Sequence, residues 1–158
     1  MTKAQKYDGV ISHLNGHIET FNAFLSADHQ LTSVSPSNPK TYTDMLDQPW
    51  GKQQWPSKDN FGVYVLCGFH EAETRIGAYV GKASLKQIGH RLWNHLKPYR
   101  DKGVYRLKNG EFLVEVILAV PVFSSMPASM ASALEEHIIK KGLGDVHLFN
   151  SVGMRKVA

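Results

Sequence analysis

Cysteine is nearly missing from this chain of 158 residues. Cys67 is the only one, so no disulfide can form within the chain, and the usage suits a reducing cytosol. Cys67 sits inside an apolar, strand-like pattern, which reads as a small buried side chain rather than a nucleophile. Long apolar runs are missing too. The longest, Phe112 to Phe123, is broken by Glu115 and Pro121, is too short to span a bilayer, and reads as a buried strand. Residues Met1 to Asp8 lack the apolar core of a signal peptide. The expectation is a cytoplasmic protein with no membrane partner. There is no internal repeat, no low-complexity tract, and no appended DNA-reading motif such as a zinc finger. No HExxH pattern occurs. His13 and His17, four apart, have no third ligand nearby and read as polar-face residues.

What remains is a chain of ordinary apolar content, long enough for one domain with a full core. Its net charge of +4 is unevenly spread. Lys82, Lys86, Arg91, Lys97, Arg100, Lys102, Arg106 and Lys108 face only Asp101 in their segment, a local charge of +7 that leaves −3 on the remainder. A one-sided basic surface suits a phosphate backbone, because neutralising phosphates releases counterions.

Val10, Ile11, Leu14, Ile18, Phe21 and Leu25 recur at three- and four-residue spacing, which predicts an amphipathic helix over Tyr7–Ala27. Asp28–Asn60 is loop-like, with turn chemistry at Ser33–Pro39 and Gln48–Gly51 and a turn of helix over Thr41–Leu46. Trp50 and Trp55 read as anchors of that loop, with base stacking as the other reading.

Phe61–Phe69 and Arg75–Gly81 are rich in β-branched and aromatic residues, and the polar run His70–Thr74 between them predicts a hairpin. A loop of His70–Glu73 puts Phe69 opposite Thr74 and Tyr64 directly opposite Tyr79, on one face. A loop one residue longer would part them. On its own the pair reads as core aromatics. Ser84 and Gln87 then fit a capping box, Leu85, Ile88, Leu92 and Leu96 an apolar stripe, and Pro98 a stop. Arg91 and His95 share one side of that helix. Tyr99–Gly110 reads as a basic loop with a turn at Asn109-Gly110, and Glu111–Val120 as a third strand ended by Pro121.

Pro127 and Gly142 fit the start and the end of a last helix. Glu135 has Ala131, Ser132, Ile138 and Ile139 as neighbours at helical spacing, so it turns toward the apolar side. Glu136 pairs with Lys140 and faces solvent. A carboxylate on an apolar face is costly unless paired or metal-bound. Asn150 is either a turn residue or a site residue, and Gly153–Ala158 is a short basic tail.

Gly62-Val63-Tyr64, Tyr79-Val80-Gly81-Lys82, Arg91, His95, Leu134-Glu135 and Asn150 together resemble the GIY-YIG nuclease family. The resemblance spans about Phe61 to Ser151. It implies a fold of mixed helices and strands with a small three-stranded antiparallel sheet flanked by helices. A nuclease domain would occupy 61–158, and an N-terminal helix plus long loop over 1–60 would form an accessory or specificity layer. The interval between the tyrosines is longer than the family's usual one, which implies a larger hairpin.

The activity implied is metal-dependent endonucleolytic hydrolysis of DNA phosphodiester bonds, with Mg²⁺ or Mn²⁺ on Glu135. Arg91 would hold the scissile phosphate. Tyr64 would activate water as a phenolate or orient it, Lys82 lowering its pKa and Tyr79 hydrogen-bonding nearby. His95 would contact phosphate or shuttle a proton, and Asn150 would fix the site. Lys86, Lys97, Arg100, Lys102, Arg106 and Lys108 would contact the nucleic acid. RNA is the other polymer open to the same chemistry. A single site nicks one strand, so double-strand cutting calls for a homodimer or sequential binding. The rival reading is a non-catalytic nucleic-acid-binding module using the basic face 82–108. Binding alone does not require the acidic Glu135.

Overall fold

The computed structural model describes residues 5–34, 40–41, 55–72, 75–108, 111–122 and 127–150. Trp50, the turns at Gln48–Gly51 and Asn109-Gly110, the turn of helix expected over 41–46 except Thr41, which is strand, the tail 153–158 and the Arg100 side chain fall outside them. The strands are β1 (Lys40–Thr41), β2 (Gly62–His70), β3 (Ile76–Ala83), β4 (Leu96–Tyr99), β5 (Val104–Leu107), β6 (Phe112–Pro121) and β7 (His147–Leu148). The α-helices are α1 (Asp8–Asn22), α2 (Ile88–His95) and α3 (Pro127–Lys141).

All seven strands join one mixed sheet. Six run in the order β4-β5-β6-β2-β3-β7, and β1 pairs with β6. The small three-stranded antiparallel sheet expected from the resemblance is overturned. β2, β3 and β6 form only its antiparallel centre, β7 adds a parallel edge, and a β4–β5 hairpin extends the sheet beyond β6. The stretch read as a basic loop is largely that hairpin. Leu96, Tyr105 and Leu107 pack toward α2, while Lys97 and its partner Arg106 alternate to the opposite face. Interspersed cations hid the period of two.

The two faces bury different cores. Val63, Val65 and Cys67 of β2, Ala78 and Val80 of β3 and Val116, Leu118 and Val120 of β6 lie beneath α1 and α3. Tyr64, Leu66, Val114 and Ile117 turn the other way, toward Ile88 and Leu92 of α2 and Trp55. The N-terminal helix thus belongs to the first core: Tyr7, Val10, Ile11, Leu14 and Ile18 are all buried there beside Leu134 and Ile138.

The β2–β3 register corrects the expected pairing. Tyr64 pairs with Gly81 and Tyr79 with Leu66, because Phe69 pairs with Ile76 rather than Thr74 and the connection is longer. The slip is an even number of residues, so both phenols keep one face. In β6, Cys67 pairs with Val116 but Gly68 with Val114, leaving Glu115 as the extra residue of a bulge. A bulge breaks strict alternation, so Glu115 reaches the α1 side inside an otherwise apolar strand. Its carboxylate accepts hydrogen bonds from the Tyr7 hydroxyl at 2.6 Å and the Lys6 ammonium at 2.9 Å.

The capping box at Ser84 is also overturned. α2 starts at Ile88, with Gln87 extended before it and making no side-chain cap. Its first amides are taken by main-chain carbonyls instead: Ile88 N–H donates to Asn60 O at 2.8 Å and Gly89 N–H to Lys58 O at 2.9 Å. That approach needs a glycine, because a methyl on Gly89 would stand 2.7 Å from Lys58 Cβ. With the helix starting late, Leu85 leaves the apolar stripe and is 87% exposed.

Asparagines act as strand substitutes. Asn22 bonds both backbone groups of Leu31, at 2.9 and 2.7 Å, and Asn15 does the same to Val34. A side-chain amide carries the same donor and acceptor as a peptide, so each ties the segment after α1 back onto that helix.

Candidate active site

The site lies where the β3 edge loses its neighbour. β7 pairs only with Gly77 and Ala78. At Val80 the edge is continued by one side chain: Val80 N–H donates to Asn150 Oδ1 at 2.5 Å, and Asn150 Nδ2 donates to Val80 O at 2.6 Å. Asn150 is buried, and both halves of its amide are used. Beyond it opens a cleft of about 700 Å³, lined by Tyr64, Tyr79 and Gly81 from one side of the sheet and Arg91 from α2. Lys82 contributes from the opposite side, together with Ser132 and Glu135 of α3.

The edge explains how residues from opposite faces meet. Alternation sends Tyr79 and Gly81 one way and Val80 and Lys82 the other, but at a free edge both sets border the same space. Gly81 makes room for this arrangement. A Cβ on it would overlap the ring end of Tyr64, so the phenol occupies the volume of its partner's missing side chain.

Electrostatics set the protonation states. Burial pushes Tyr64 up to about 12, with the Arg91 charge opposing and Tyr79 and Glu135 adding smaller upward pushes. Tyr64 is therefore a neutral phenol at ordinary pH, and the lowering expected from Lys82 is not what its surroundings produce. Burial also raises the Glu135 carboxyl, while Lys82 and then Arg91 pull it back down. Glu135 is half-buried and Glu136 exposed, the division the helical spacing predicts. The Nε of Arg91 is buried and has no hydrogen-bond partner among the described residues. The Lys82 ammonium donates to Ser132 Oγ at 3.2 Å.

His95 does not line the cleft. It ends α2, and burial, then Arg91 and Lys108, lower its pKa, leaving a neutral imidazole. Lys86, Lys97, Lys102 and Lys108 are exposed. Arg106 stacks over Tyr99 at 5.7 Å and meets the Glu71 carboxylate at 3.9 Å. His17 donates to the carbonyl of Gly142 at 2.7 Å and meets His137 edge-on at 4.9 Å, so it ties α1 to the end of α3. Among the described residues no group of three or more His, Cys, Asp or Glu side chains could hold a metal. Among them, too, no helix is long and apolar enough to cross a membrane.

Sequence reasoning gave Ser132 no role, although it lies three residues before Glu135 and so on the same side of α3. No family model, curated protein or solved structure matches the chain.

Proposed function

We propose that this chain is a metal-dependent endonuclease that hydrolyses phosphodiester bonds of DNA. The observation behind this reading is that the half-buried Glu135 carboxylate shares a cleft at an open sheet edge with two phenols, three cations (Lys82, Arg91 and Lys140) and the exposed Glu136. Such hydrolysis needs an oriented water, charge compensation on the phosphoryl oxygens and help for the leaving oxygen.

Arg91 holds the scissile phosphate. Arg91 lines the cleft, and the fork of a guanidinium matches two oxygens of a phosphate. Lys82 brings positive charge to the cleft from the opposite side, beside Glu135. Tyr64, protonated, orients the attacking water through its hydroxyl, with Tyr79 beside it on the same face. Asn150 holds β3 in register with the chain end rather than reacting. His95, at the end of α2 and outside the cleft lining, contacts phosphate rather than moving a proton at the reacting atoms.

The residues fit a divalent ion in one respect that matters. Mg²⁺ commonly binds through a single carboxylate and keeps waters and substrate oxygens as its other ligands. Glu135 would hold it, and Mg²⁺ or Mn²⁺ there would supply charge to the phosphoryl group. Lys86, Lys97, Lys102 and Lys108, all exposed, contact flanking phosphates, and Arg106 shares its charge between Glu71 and phosphate. Cutting both strands calls for a second copy of the chain or for sequential binding.

The test is cleavage of supercoiled plasmid with Mg²⁺ or Mn²⁺, against EDTA and Glu135→Ala, with a structured RNA in parallel. Metal-dependent cutting lost in the variant is the expected result. DNA bound but never cut, in plasmid, branched or single-stranded form, would make the chain a non-catalytic nucleic-acid-binding module.

A further inference from the structure

We infer that Ser132 is a positioning residue that fixes the Lys82 ammonium against the α3 wall of the cleft. The inference rests on the nuclease reading for its consequence, but not for the contact itself. Lys82 stands on the last stretch of β3, past the point where β7 and Asn150 close the edge, so among the described residues a strand, β2, flanks it on one side only. A lysine carries a point charge on a flexible four-carbon stem, and its position is set by whatever accepts its hydrogen bonds. Among the described residues, the hydrogen bond of the Lys82 ammonium goes to Ser132 Oγ, at 3.2 Å.

The geometry gives the contact a purpose beyond packing. Ser132 and Glu135 both line the cleft from one side of α3, a helical turn apart, while Ala131, Leu134 and Ile138 bury against the sheet. Holding the ammonium at Ser132 therefore sets its distance from both the Glu135 carboxylate and any phosphate held by Arg91. Because the hydroxyl oxygen accepts from Lys82, its own proton points elsewhere. The charge stays with the lysine, so Ser132 acts through it. Without the hydroxyl, Lys82 samples several rotamers. The cleft keeps its net charge but loses its preorganisation, which is what lowers turnover rather than binding.

Two independent measurements test this. The first needs no substrate: nitrogen-15 spectra of the lysine ammonium groups in the full chain. A slowly exchanging Lys82 signal, assigned by its loss in Lys82→Arg, should vanish in Ser132→Ala and return in Ser132→Thr. The same signal in Ser132→Ala as in wild type overturns the contact. The second is kinetic. Ser132→Ala should lower kcat about tenfold with KM nearly unchanged, Ser132→Thr should recover most of it, and Ser132→Ala should cost nothing further in a Lys82→Ala background. Additive losses, or none, overturn the positioning role. If wild type cuts no nucleic acid at all, the nuclease reading falls, while the spectra still decide the contact.

Discussion

The ring of Tyr64 occupies the space that a side chain on Gly81, its partner across the β2–β3 ladder, would need. This one relationship ties the register of the hairpin to the chemistry of the cleft. It holds the hydroxyl at the edge of β3, near Arg91, and it makes the glycine a packing requirement.

Gly81→Ala should therefore damage the site more than the fold. The added methyl must push the phenol aside, an overpacking cost of about 1–3 kcal/mol. On the proposed nuclease reading cleavage should fall by about a hundredfold, since the hydroxyl would no longer point toward the attacking water. Thermal unfolding and plasmid nicking on the same preparation check both halves. Nicking retained at the wild-type rate would show that Tyr64 can work from elsewhere.

Alkaline pH should expose Tyr64. Its folded pKa is raised from 10.0 to about 12, so above pH 10 the unfolded chain releases a proton that the folded one keeps. Stability from this group is complete below the unfolded value and is lost as pH climbs toward the folded one, up to about 3 kcal/mol in all. Denaturant unfolding at pH 9 and pH 11 should show a smaller loss for Tyr64→Phe than for wild type. The same variant should be nearly inactive at pH 7.5.

Asn150→Asp tests the clamp on Val80 with almost no change of shape. One carboxylate oxygen can still accept from the Val80 amide, but the other would face the Val80 carbonyl, where Asn150 now donates. Two acceptors in a buried place should cost about 2–4 kcal/mol. Hydrogen exchange at the Val80 amide should speed up in the variant. Unchanged protection would mean that the strand edge is held by β7 alone.

The N-terminal helix should prove inseparable from the rest. Tyr7→Phe leaves the buried Glu115 carboxylate one donor short, and a loss of about 1–3 kcal/mol is expected. Adding Glu115→Met to it should win part of that back, because two apolar groups in place of a buried polar pair can be near neutral. Deleting residues 1–24 should yield insoluble protein, since Val10, Ile11, Leu14 and Ile18 cover the sheet core. A soluble, active deletion would show the helix to be a dispensable layer.

Local pattern alone determined a good deal of this protein. The spacing of Val10 to Ile18, the apolar strands around Tyr64 and Leu118, and Pro127 with Gly142 at the ends of α3 all follow from periodicity and backbone preference. So does the split between Glu135 and Glu136, because side-chain direction on a helix is fixed by residue number. What tertiary structure decided is everything whose partner is distant in the chain. The amides opening α2 are satisfied by Lys58 and Asn60, so a local capping pattern at Ser84 carried no weight. Glu115 reaches Tyr7 only because the strand bulges against Cys67. The β4–β5 hairpin looked like a loop because its buried alternate residues are interleaved with charge. The tyrosines share one face although the β2–β3 connection is two residues longer than its polar run suggests, since an even slip preserves the face of every residue. Lys82 and Tyr79 point to opposite faces of the sheet, and only an open strand edge lets both border one cleft.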